Sequence, residues 1–64
     1  MKVGSKIKEI REKSNISQVV LAEKVGTLTQ SQICKIESGK RHIRVNEVVD
    51  IAKAFNVHVK EILT

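Results

Sequence analysis

Apolar residues recur along the chain at helical spacing, in short runs separated by residues that end helices. Ile7 and Ile10 are three apart, Leu21, Ala22 and Val25 share a face, Ile33 and Ile36 are again three apart, and Val45, Val48, Val49, Ile51, Ala52 and Phe55 crowd a longer segment. Spacings of three and four stack side chains on one side of a helix that turns about 100° per residue. No segment keeps the alternation of two that marks a half-buried strand, and no internal repeat is present. Asn15, Gly26, Gly39 and Asn56 each follow an apolar run. These two residue types most readily take the left-handed conformation that closes a helix. The pattern therefore predicts an all-α fold of five short helices: Gly4 to Ser14, Gln18 to Val25 capped by Ser17, Gln30 to Ser38 capped by Thr29, Val45 to Phe55, and His58 to Leu63. Residues 1–64 read as a single domain.

The second and third helices are joined only by Gly26 to Thr29, so they cannot lie far apart, and Ala22 is small where a neighbouring helix must approach. Two helices linked by a tight glycine turn form a helix-turn-helix. On the third helix a wheel places Ile33 and Ile36 on one side and Ser31, Cys34, Lys35 and Ser38 on the other. That outer face carries no large apolar group. It is either solvated decoration or a surface that reads another molecule.

Charge narrows the choice. The chain carries a net +5, and residues 1–44 hold ten Lys/Arg against four Asp/Glu, whereas residues 45–64 hold two against three. A basic bias of this kind attracts polyanions, nucleic acid first among them. A chain of 64 residues buries only about 60% of its unfolded surface, which leaves little room for a preformed catalytic pocket. No apolar run reaches the roughly 18 residues that a membrane span needs, and the N-terminus has no signal-peptide apolar region. The one Cys forms no internal disulfide, which fits a reducing cytoplasm. Cys34, His42 and His58 are spaced 8 and 16 apart and match no compact zinc pattern. No paired carboxylates, Ser/His/Asp set or phosphate-binding glycine loop is visible, so no catalytic residue, metal or cofactor is expected. Cys34 reads as a small residue of ordinary reactivity rather than a redox switch.

The runs SQVVLAEKVG, TQSQICKIESGK and IAKAFNV together resemble the Cro/phage-repressor, or Xre, type of helix-turn-helix. Gln18, Leu21-Ala22, Gly26, Ile33 and the ending Ile36-Glu37-x-Gly39 follow in the family's order, and the resemblance extends from about Gly4 to Leu63. It implies a compact five-helix, lambda-repressor-like domain whose third helix enters the major groove of double-stranded DNA, usually as a homodimer on a near-palindromic operator. The chain departs from the family in one place. Ile33 stands seven positions after Gly26 where the family has six, and Thr27 is read as the extra residue, with Leu28 as the buried turn residue.

On this reading Gln30, Ser31 and Lys35 face the bases, since an amide pairs with adenine N6/N7, a hydroxyl serves several bases and an ammonium donates to guanine O6/N7. Gln32 and Cys34 flank that face as weaker contacts. Ser17, Gln18 and Thr29, at two helix N-termini, join Lys40, Arg41 and Arg44 as the expected phosphate contacts. Glu37 lies near the apolar side of its helix, and the resemblance pairs it with Arg11, an acid so placed needing a cationic partner. The apolar residues of the fourth helix span roughly 160° of the wheel, more than one core requires. Val57, Val59, Ile62 and Leu63 extend this surface in the least basic part of the chain and form the expected two-fold contact. The function expected is a small repressor or controller that reads an inverted repeat. The alternative is an antitoxin-like or other protein-interaction module with a toxin or polymerase as partner and DNA binding secondary.

Overall fold

The computed structural model describes residues 3–63. Five helices follow one another, α1 (Val3–Lys13), α2 (Gln18–Val25), α3 (Gln30–Glu37), α4 (Val45–Phe55) and α5 (Val59–Leu63), with no strand among the described residues. α3 packs against both α1 and α2, α4 against α2, and α5 against α1 and α4.

All four residues read as helix stops adopt positive φ: Asn15 and Asn56 at 58°, Gly26 at 80° and Gly39 at 81°. The helix ends otherwise fall within a residue of those expected, for local reasons. Ser14 already sits in the closing turn of α1, its N–H donating to the carbonyls of Ile10 and Arg11 at 3.0 and 3.1 Å. His58 stands outside α5 because it caps it. Its Nδ1 accepts from the N–H of Lys60 at 3.1 Å while its own N–H donates to Glu61 at 3.2 Å.

The core is Ile7, Leu21, Leu28, Ile33, Ile36, Val48, Ile51, Ala52 and Ile62, so every helix and the α2–α3 turn contribute. Each large aliphatic side chain fully removed from water contributes about 1.5–3 kcal/mol. Ile62 is here 1% exposed, which corrects its assignment to a two-fold contact. A five-residue helix needs one anchor in the core, and Ile62 is that anchor. The broad apolar arc of α4 divides as its width requires: Val48, Ile51 and Ala52 are buried, Val49 and Phe55 half-buried, and Val45 is 82% exposed.

Gly4 permits the closest crossing. A Cβ at this position would collide with the carbonyl oxygen of Ile36, so α1 and the last turn of α3 meet backbone to backbone. Thr27, the extra residue of the turn, is accommodated at the surface, where its Oγ1 donates to Asp50 of α4 at 3.2 Å.

Candidate nucleic-acid interface

The candidate interface comprises the start of α2, α3 and the loop that follows it. Ser17 caps α2, its Oγ accepting from the N–H of Val20 at 3.1 Å. Thr29 caps α3 through a reciprocal box in which its Oγ1 accepts from the N–H of Gln32 at 3.1 Å and the Gln32 side chain accepts from the N–H of Thr29 at 2.9 Å. Gln32 is thereby committed to the helix start and withdrawn from the outer face. The amides of Gln18 and Val19 on α2, and of Gln30 and Ser31 on α3, precede the first intrahelical bonds, so two ends of positive dipole are left open to an anion.

These two ends lie together because their first side chains are bonded. Gln30 donates from Nε2 to Oε1 of Gln18 at 2.8 Å, and Gln18 donates from its own Nε2 to Oε1 of Glu37 at 3.0 Å. Glu37 receives both prongs of Arg11, Nε at 2.7 Å and Nη2 at 3.1 Å, while Arg11 Nη1 donates to the carbonyl of Ile16 at 2.9 Å. The pair is 12% and 3% exposed, and a charge so placed is tolerated because it is forked on its counter-ion. The Glu37 hydrogen bond holds the Arg11 guanidinium above its ordinary pKa. Arg11, Glu37, Gln18 and Gln30 thus form one chain of donors and acceptors running from α1 to the tip of α3. Both ends of the Gln18 amide are used, which leaves one Nε2 hydrogen and the backbone N–H for any phosphate. In Gln30 the Oε1 and the second Nε2 hydrogen remain, an acceptor beside a donor.

Ser31, Cys34, Lys35 and Ser38 are exposed along the outer face of α3. Ser38 Oγ donates to the carbonyl of Lys35 at 3.2 Å, closing the helix. The side chains of Ser31, Cys34 and Lys35 make no hydrogen bond or ion pair among the described residues, and neither do those of Lys40 and Arg44 in the following loop. Arg41 differs. Its guanidinium donates to both oxygens of Glu47 on α4, at 3.1 and 2.9 Å, so its charge is engaged within the chain. Glu47 also accepts from the backbone N–H of Arg44 at 3.0 Å.

The helix-turn-helix family model HTH_3 matches residues 7–62, the span that holds all of these groups. The chain belongs to the Xre-type helix-turn-helix family. It is a family of DNA-binding transcriptional regulators. Among solved structures, the restriction-modification controller protein C.AhdI from Aeromonas hydrophila superposes with a TM-score of 0.90 and 28% identity, over 95% of this chain and 87% of that one. A search of curated protein sequences finds no significant match. Membership in the family accounts for the order of the helices. No described helix is long and apolar enough to cross a membrane, and no metal-binding group of His, Cys, Asp or Glu occurs among the described residues.

Sequence reasoning missed two connections. The Gln18–Gln30 bond joins residues twelve apart and depends on how two helices cross, which no local pattern records. The Glu47 contact had a readable half: an acid three residues into a helix, able to reach back to the N–H of the residue before it. Its partnership with Arg41 had none.

Proposed function

We propose that the chain is a sequence-specific, double-stranded DNA-binding regulator of the small repressor or controller type, in which α3 enters the major groove. The observation that carries this is the outer face of α3. It pairs side chains free of internal duty, Ser31 and Lys35, with one amide, Gln30, held in a fixed orientation at the helix tip. With Nε2 tied to Gln18, Gln30 offers Oε1 to adenine N6 and its remaining hydrogen to N7. Lys35, one turn along, reaches for guanine O6/N7. Ser17, Gln18, Thr29, Lys40 and Arg44 supply phosphate contacts, the first three through helix N-termini and the last two through charge. The likeness to a restriction-modification controller supports the controller variety of this function.

A two-fold homodimer completes the reading. Leu63 is 41% exposed and Val57 and Val59 are half-buried, all three in the part of the chain with least positive charge. Ile62 is excluded from this surface by its burial.

Selection of bound sequences from a random duplex pool tests the proposal. The wild type is expected to return an inverted repeat. Gln30→Ala and Lys35→Ala are each expected to relax preference at particular base pairs by about 1–3 kcal/mol. An unchanged preferred sequence in both variants would refute the proposed reading face, and tight capture of a protein with only non-specific DNA binding would refute the function.

A further inference from the structure

Seven residues separate the end of α3 from the start of α4, and two of the three cations among them stand alone. Gly39 at φ 81° lets the chain fold back, so that the N–H groups of Lys40 and Arg41 donate to the carbonyl of Lys35 at 2.9 and 3.2 Å. The start of the loop is thereby tied to α3. Its end is tied to α4, where Glu47 accepts from the N–H of Arg44 at 3.0 Å. Between these two ties runs the Arg41 side chain, from the first to the second, forked on Glu47. The Glu47 side chain is 12% exposed and that of Arg41 26%. The Arg41 hydrogen bond holds the Glu47 carboxyl below its ordinary pKa, and the same bond raises that of Arg41.

A fork of two short, charge-assisted bonds removes freedom from both groups that it joins. It also cancels the charge of Arg41 at short range, so the loop presents two outward cations rather than three. We propose that Arg41 and Glu47 are positioning residues for DNA binding: the fork spans the loop from α3 to α4 and fixes the backbone that carries Lys40 and Arg44, while Arg41 itself contacts no phosphate. This rests on the reading of α3 as a DNA-reading helix and adds to it. The phosphate contacts on this side are set by a carboxylate that never meets DNA. Preorganisation of this kind acts by reducing the ordering that binding would otherwise require.

The roles separate by salt dependence. Each phosphate contact contributes about 0.9 to the slope of log affinity against log salt concentration, and a cation already paired within the protein contributes little. The full chain is titrated with mixed-sequence duplex DNA at several salt concentrations, at a temperature where circular dichroism shows each variant folded. Lys40→Ala is expected to flatten the slope by about 0.9. Arg41→Ala is expected to leave the slope as in wild type and to weaken binding about tenfold, an effect on the order of other coupled networks. Lys40→Ala is expected to cost less in the Arg41→Ala background than alone, because a loosened loop no longer holds that contact. A slope flattened by Arg41→Ala would make Arg41 a phosphate contact and overturn the proposal. So would folded Arg41→Ala that binds as wild type, since the fork would then serve stability alone. Wild type with no salt-dependent binding would overturn the DNA-reading function beneath it, a result distinct from both.

Discussion

Arg11 illustrates how much of a fold can rest on one side chain. Replaced by Met, it leaves the Glu37 carboxylate buried with Gln18 as its remaining donor. Stranding a buried charge costs about 3–5 kcal/mol, a large share of the roughly 5 kcal/mol at the lower end of domain stabilities. Urea denaturation should show Arg11→Met with a midpoint far below wild type, and a change under about 1 kcal/mol would mean the carboxylate finds water. Gly4 makes a contrary case. Ala in place of Gly inside a helix normally stabilises by up to about 1 kcal/mol, but here the added Cβ meets the Ile36 carbonyl, a backbone atom that cannot rotate away. Overpacking costs about 1–3 kcal/mol, so Gly4→Ala should lower the unfolding midpoint, and a raised midpoint would show that α1 can slide. Both residues mark a limit on sequence reading. The Arg11–Glu37 partnership followed from the family resemblance, whereas nothing local marks Gly4 as a crossing point, because the atom it avoids is 32 residues away.

Caps and stops were the most readable elements, because they depend on side chains within three residues of the backbone groups they satisfy. Ser17, Thr29 and the four residues of positive φ needed no knowledge of packing. The orientation of α5 did, since a helix of little more than one turn has too few residues for periodicity to say which side faces inward, and Ile62 was consequently read outward. The Thr29 box should be worth about 1 kcal/mol, so Thr29→Ala is expected to destabilise the domain by that amount in thermal unfolding, with DNA affinity falling further than stability alone explains. Equal affinity in the folded variant would detach the α3 N-terminus from phosphate. Glu47 ties its element to pH. Its carboxyl pKa is depressed in the folded state, chiefly by the Arg41 hydrogen bond, so the native state binds its proton less readily than the unfolded chain. The stabilisation is complete above the unfolded value of about 4.3 and is lost as the pH falls through the lower, folded value. Melting temperatures of wild type and Glu47→Gln should differ near neutrality and converge in acid; a gap that persists to the lowest pH would assign the difference to packing.

The described molecule measures 24 × 24 × 20 Å, smaller than the roughly 34 Å between successive major grooves on one side of a duplex. One copy presents one α3, eight residues long, or about 12 Å, which covers only three or four base pairs at about 3.4 Å each. A regulator competing against a genome of non-specific sites needs more sequence than that. Leu63→Glu should therefore give a folded monomer in sedimentation, with weakened operator binding and nearly normal non-specific binding; a variant that remains dimeric would relocate the interface. The outer face of α3 has a final consequence. Ser31, Cys34 and Lys35 are exposed and bonded to nothing else in the described chain, so exchanging them leaves the core, the caps and the Arg11–Glu37 pair intact. Gln30, tied to Gln18, lacks that freedom. On the proposed reading of α3, a lineage carrying this scaffold can drift toward new operators through three positions without passing through misfolded intermediates, while its fourth letter stays anchored to the grammar of the fold.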